Sequence, residues 1–156
     1  MKKIVVIGIG NTLRSDDGLG VHAAARLAQM PEMRDVEVLE VQQLIPEQAD
    51  SLQEFDVVIF IDASYQDPPG NIQCAQLEAD DTIGSGFTHH FSPARLLLLT
   101  REIYGKKPKA YLFTVGAQTF ELGEELSSPV QKALPKLINM VIDLIKQETT
   151  DSKSSI

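Results

Sequence analysis

At 156 residues, with 43% hydrophobic side chains, the chain is long enough to bury one substantial core, and its length predicts one domain rather than two. A formal charge of -8 offers no basic face for phosphates or anionic headgroups, which argues against nucleic acid or membrane as a partner and suits a protein or metal partner. The single cysteine, Cys74, cannot form an internal disulfide, so the chain reads as cytoplasmic and Cys74 as a structural residue of a strand.

Lys2-Lys3 followed by Ile4-Val5-Val6-Ile7 superficially has the order of a signal peptide, but the apolar run is too short and leads into polar and acidic residues. Lys3 to Ile9 reads instead as a central parallel strand covered on both faces. A helix is predicted from about Leu19 to Met30, ended by Pro31, then a strand over Val36 to Val41 whose facing is ambiguous. Pro46 to Gln53 reads as a short helix, and Asp56 to Asp62 as a second buried strand that ends on a carboxylate. After the turn Asp67-Pro68-Pro69-Gly70, Asn71 to Leu77 is weakly apolar and is placed toward a sheet edge.

A polar loop from Asp80 to Phe87 leads to Thr88-His89-His90-Phe91. Ser92 is a good N-cap, with Pro93 at the first helical position and Gly105 as the stop of a helix ending near Tyr104. Ala110 to Val115 is a third buried strand, and Pro129 to Gln147 has helical spacing of apolar residues. The predicted domain spans residues 1–148, with 149–156 as a flexible tail. Alternating strands and helices predict an α/β three-layer sandwich around a mostly parallel twisted sheet.

Asp16 and Asp17 stand where the first strand leaves through Gly8-Ile9-Gly10-Asn11 into a helix. A glycine-containing strand-to-helix turn normally invites phosphate, but carboxylates repel a pyrophosphate and can hold a divalent cation at the sheet rim. Either acid could merely cap the helix; two in succession exceed what a cap requires. Asp62, after five apolar residues, is costly unless paired or bound to a cation. His89 and His90 precede a helix that must pack back on the sheet, and in an extended segment only one of the two faces a given site. Two oxygen ligands and an imidazole suit a divalent first-row metal and leave coordination positions open.

A dinucleotide fingerprint would need a small residue where Leu13 stands, with Glu40 as the ribose acid, and the paired acids make its phosphate pocket electrostatically wrong. Cys74 has no histidine at a familiar spacing, there is no nucleophile elbow, and Ser64 is a weak candidate nucleophile.

The run Gly8 to Gly20, with Val57-Val58-Ile59-Phe60-Ile61-Asp62-Ala63, the Thr88-His89-His90 turn and Gly123-Glu124-Glu125-Leu126-Ser127, resembles the [NiFe]-hydrogenase maturation endopeptidases over nearly the whole chain. The resemblance implies a five-stranded sheet between helices and removal of a C-terminal peptide from the hydrogenase large-subunit precursor after nickel insertion. It also implies two acids and a histidine as metal-contacting, catalytic residues. These fall on Asp17, Asp62 and His90, with His89 the alternative, and the nickel is carried by the precursor. Gln42-Gln43-Leu44-Ile45-Pro46-Glu47 stands where many relatives have an acid-glycine-glycine-threonine segment. It resembles the subgroup serving bidirectional, NAD-coupled hydrogenases, where a histidine usually replaces Gln42. The competing reading is a non-catalytic metal- or nucleotide-binding α/β module.

Overall fold

A computed structural model of the protein describes residues 1–79 and 91–154. Strands β1 (Ile4–Ile9), β2 (Val36–Val41), β3 (Val57–Ser64), β4 (Ile72–Leu77) and β5 (Lys109–Gly116) form one sheet in the order β2-β1-β3-β5-β4. All neighbours are parallel except β4, which pairs antiparallel with β5 at the edge. The helices are α1 (Leu19–Ala28), α2 (Ala49–Leu52), α3 (Pro93–Tyr104) and α4 (Ser128–Ser154).

Strand alternation divides the core into two layers. Ile4 and Val6 of β1 join Ile59, Ile61 and Phe113 beneath Leu19, Leu27, Leu137 and Val141 of α1 and α4. Val5 and Ile7 join Val58 and Phe60 beneath Leu52, Leu96 and Leu97 of α2 and α3. A three-layer α/β sandwich results, as the sequence predicts. The ambiguous facing of β2 has a simple cause: Val36 and Val38 pack on the first layer, Leu39 and Val41 on the second.

Helix α3 forms as its sequence dictates. Ser92 Oγ accepts the Arg95 N–H at 3.1 Å, Pro93 opens the first turn, and Gly105 closes it in a left-handed conformation with φ 68. Several boundaries differ from the sequence reading. Helix α1 stops at Ala28, and Pro46–Gln48 is a 3-10 turn preceding a single α turn. Strand β3 continues to Ser64, so Asp62 lies within it, opposite Thr114 of β5. Cys74 lies on a strand, as the sequence predicts, and is exposed there on edge strand β4.

Helix α4 runs past Gln147 to Ser154, through residues read as a tail. The cause is Glu148, which is buried and accepts hydrogen bonds from Lys2 Nζ at 3.0 Å and Tyr111 OH at 2.7 Å, with Lys109 Nζ at 2.9 Å. Burial alone would raise its pKa, but the hydrogen bonds from Lys109, Tyr111 and Lys2 outweigh it and hold the carboxyl at about 2. One side chain thus ties the last helix to both the N-terminus and the start of β5.

The packing of α1 on β1 depends on missing side chains. A Cβ on Gly8 would lie 2.1 Å from the Gly20 carbonyl oxygen and 2.7 Å from Ala24 Cβ, and one on Gly20 would lie 2.2 Å from the Ile61 carbonyl oxygen. Gly8→Ala is therefore expected to cost about 3 kcal/mol or more by denaturant unfolding, or to leave no folded protein. Gly105→Ala, with open space but positive φ, should cost only about 1 kcal/mol. Equal losses for the two would mean that α1 can move away from the sheet.

Candidate functional site

The chain leaving β1 folds tightly back on itself. Gly10 adopts φ +145, and a Cβ there would lie 1.8 Å from the Asp17 carbonyl oxygen. A 3-10 turn, Ser15–Gly18, then leads directly into α1. The space beside both glycines of this turn is filled by α1 and its lead-in, so the glycines serve chain packing and leave no pyrophosphate cradle. Glu40, the would-be ribose acid, is exposed on β2.

The two adjacent acids have different surroundings. Asp16 is 0% exposed and accepts four hydrogen bonds: from Gln118 N at 2.8 Å, Thr119 N at 3.2 Å, Ser127 N at 2.7 Å and Ser127 Oγ at 2.7 Å. Burial pushes its pKa up, yet the Ser127, Gln118 and Thr119 donors win and the carboxyl sits below its ordinary value. Asp16 is a structural clamp on the segment after β5. Backbone bonds reinforce it, with Ser15 N–H donating to Gly123 O at 2.7 Å and Gly123 N–H to Leu13 O at 2.9 Å. Neither acid caps α1, whose N-cap is Gly18 with no side-chain cap bond.

Asp17, half-buried, faces the rim. Its Oδ2 accepts the Asn11 N–H at 2.9 Å and its Oδ1 accepts the Tyr65 hydroxyl at 3.0 Å. Asp62, from β3, is also half-buried, and its Oδ1 accepts its neighbour Ala63 N–H at 2.8 Å. Burial raises the Asp62 pKa to about 7; the Ala63 hydrogen bond opposes the rise and the nearby charge of Asp17 adds to it. The structure therefore brings together two of the sequence-predicted site residues. One is a doubly hydrogen-bonded carboxylate, and the other is a carboxyl poised to exchange a proton near neutrality.

His89 and His90 lie outside the described residues. Among the described residues no group of three or more His, Cys, Asp or Glu side chains could hold a metal. Ser64 Oγ is occupied in a turn, accepting N–H bonds from Gln66 at 3.3 Å and Asp67 at 3.2 Å. Cys74 stands opposite Phe113, whose side chain joins the α1 and α4 layer, whereas Asp62 has the alternation of Val58 and Phe60 toward the other face. Among the described residues, neither makes a hydrogen bond to a base of the kind that activates a nucleophile.

Sequence reasoning missed Tyr65 and Phe120, whose rings stack at 4.2 Å beside Asp17. No spacing or composition signal marks them, since they come from loops after different strands. A cavity of about 450 Å³ lies elsewhere: His22, Arg26, Glu125 and Leu134 line it, and His22 Nε2 is buried without a partner among the described residues. Volume alone does not locate the carboxylate pair.

A family model described as HycI, hydrogenase maturation protease, matches residues 21–144. The span includes Asp62 and both histidines and begins after Asp17. Among solved structures, a [NiFe] hydrogenase maturation protease HycI from Thermococcus kodakarensis KOD1 is 23% identical, with a TM-score of 0.76 and 93% of each chain covered. The hydrogenase maturating endopeptidase HybD from Escherichia coli is 25% identical, with a TM-score of 0.76, over 94% of this chain and 93% of that one. No curated protein sequence matched the chain.

The raised pKa of Asp62 fixes the sign of a stability effect. Between the ordinary carboxyl value of 3.8 and about 7 the folded state keeps a proton that the unfolded chain has released, so folding is penalised increasingly as pH rises through this window. Asp62→Asn keeps the acceptor for Ala63 and removes the penalty. Its stability gain over the parent should be about 1–3 kcal/mol near pH 8 and should vanish toward pH 4, as read by thermal melts across pH. A gain that does not depend on pH would show that burial of the ionised form is not its source.

Proposed function

The chain belongs to the hydrogenase maturation protease family, and on that premise we propose that it removes the C-terminal extension of a [NiFe]-hydrogenase large-subunit precursor. Asp17, Asp62 and His90, with His89 as the alternative, would recognise the nickel carried by that precursor. The family is one of peptidases, which argues against a carrier without catalysis. The observation that supports this reading most is the shared rim position of Asp17 and Asp62, with Asp62 held near the midpoint of its titration at neutral pH.

A peptidase without a nucleophilic Ser or Cys must activate water. Asp62, ionised, takes a proton from water as the oxygen attacks the scissile carbonyl; the proton is then available for the departing amine as the tetrahedral intermediate collapses. Asp17, fixed by Asn11 and Tyr65, offers a carboxylate to the substrate's metal. Nickel here is cargo, recognised by two oxygens and an imidazole and able to polarise the carbonyl. Substrate without nickel lacks the group that these side chains recognise. No helix among the described residues is long and apolar enough to cross a membrane, which together with the acidic composition supports action on a protein in the cytoplasm.

The Gln42 to Glu47 loop supports assignment to the subgroup serving bidirectional, NAD-coupled hydrogenases. Gln42, Gln43, Ile45, Pro46 and Glu47 are exposed, whereas Leu44 is buried in the α2 and α3 layer. The exposed positions are free to read the partner, and Leu44 anchors the loop.

Incubation of purified protein with nickel-loaded precursor tests the site. Asp17→Asn, Asp62→Asn and His90→Ala should each slow cleavage by at least about 100-fold, while His89→Ala should retain most activity. Precursor without nickel should stay uncut, and alkylation of Cys74 should change nothing. Undiminished cleavage by Asp62→Asn, or of nickel-free precursor, would sink the proposed roles. In a separate measurement, an acid and a glycine in place of Gln42 and Gln43, with Leu44 kept, should weaken cleavage of the cognate precursor without lowering Tm. Parental cleavage by that folded variant would remove the loop from partner choice.

A further inference from the structure

Tyr65 is one of two fixed points of the Asp17 carboxylate. Its hydroxyl donates to Asp17 Oδ1 at 3.0 Å, while the Asn11 N–H donates to Oδ2 at 2.9 Å. The ring is 66% exposed, so core burial does not hold it. It is held by stacking on Phe120, with centroids 4.2 Å apart and planes 20° from parallel. Phe120 in turn sits on the segment that Asp16 clamps, and its carbonyl accepts Arg14 Nε at 3.3 Å. Asp17 and its phenol partner are thus referenced to the same rigid frame from two directions.

A carboxylate held at one oxygen can rotate about its last torsion, which is broad and roughly two-fold. Held at both oxygens, it keeps one orientation and still has lone pairs free, because an ionised carboxylate accepts at about four positions. We propose that Tyr65 is a positioning residue of the proteolytic site. Its hydroxyl fixes the rotation of the Asp17 carboxylate so that the remaining lone pairs meet the metal-bearing substrate beside Asp62, and Phe120 holds the ring in place for that task. This inference rests on the role proposed above for Asp17.

Tyr65→Phe keeps the ring and its stack and removes only the donor. With nickel-loaded precursor varied in concentration, it should lower kcat about tenfold with KM within about twofold, and Tm should stay within about 2 °C of the parent. Phe120→Ala should lower kcat in the same direction by a smaller factor. Because both residues act through one hydroxyl, adding Phe120→Ala to Tyr65→Phe should cause little further loss, and the cycle should be strongly non-additive. Asp17→Asn is measured beside them. If Asp17→Asn is inactive while Tyr65→Phe cleaves at the parental kcat, or if the two aromatic substitutions are additive, the positioning role is overturned and the site assignment stands. If Asp17→Asn is itself fully active, the site assignment fails instead. A Tyr65→Phe loss that appears only in KM would make the residue a substrate contact, which also overturns the proposal.

Discussion

The buried carboxylate of Asp16 is the constraint on which the rest of the site depends. Three N–H groups and one hydroxyl from residues 118–127 converge on it, and removing it would leave these donors unpaired in the interior. In a 3-10 turn successive side chains point about 120° apart, three residues completing one turn. Once Asp16 is committed inward, Asp17 cannot share its direction, and it emerges at the rim beside β3 and α1. The segment carrying Phe120 is fixed by the same carboxylate, so one buried charge sets both the acid and the loop against which its aromatic partner rests.

Burial pushes the pKa of each of the carboxyls of Asp16, Glu148 and Asp62 up, and the number of donors each meets decides whether that push prevails. Asp16 and Glu148 are both almost wholly buried, yet both are held ionised because hydrogen-bond donors surround them. Their stabilisation is fully present above the ordinary carboxyl range and is lost as pH falls through their depressed values. For Asp62 burial wins: its single backbone donor, Ala63, does not offset the desolvation, the nearby charge of Asp17 adds to it, and its pKa moves the other way. Folding thus stabilises the charges of Asp16 and Glu148, which maintain structure, and disfavours that of Asp62, the division expected under the role proposed for it.

Much of this was legible in the chain because local signals agreed with the fold. The unbroken apolar run of β1, the Ser92-Pro93 start and Gly105 stop of α3, and the weak apolarity of β4 each had a local cause that tertiary packing did not override. Asp17 and Asp62 could be placed on one rim because strands β1 and β3 are parallel neighbours, with Gly8 opposite Ile61. What could not be read depended on distant partners. Nothing local distinguishes Asp16 from Asp17; the difference is made by Ser127, over a hundred residues later. The overrun of α4 depends on Lys2 and Lys109 reaching Glu148, and strand β3 passes Asp62 because β5 continues alongside it to Gly116. Tyr65 and Phe120 meet only because the loops after β3 and β5 share the rim.

The glycines and the carboxylates belong to one design. Close contact of α1 with β1, permitted by Gly8 and Gly20, brings the helix's positive end up to the strand ends, and Gly18 leaves that end without a side-chain cap. Asp17 stands directly before that end, while burial, with the nearby charge of Asp17, lets Asp62 retain its proton up to about neutral pH. A pair in which Asp62 keeps its proton attracts free cations less than a fully ionised pair would. A divalent cation delivered against the pair would expel the Asp62 proton, since metal ligation and protonation compete for the same oxygens. Under the proposed reading, arrival of the substrate's metal therefore raises the ionised fraction of Asp62 at neutral pH, which links the carboxylate that takes the proton from water to the presence of the cargo.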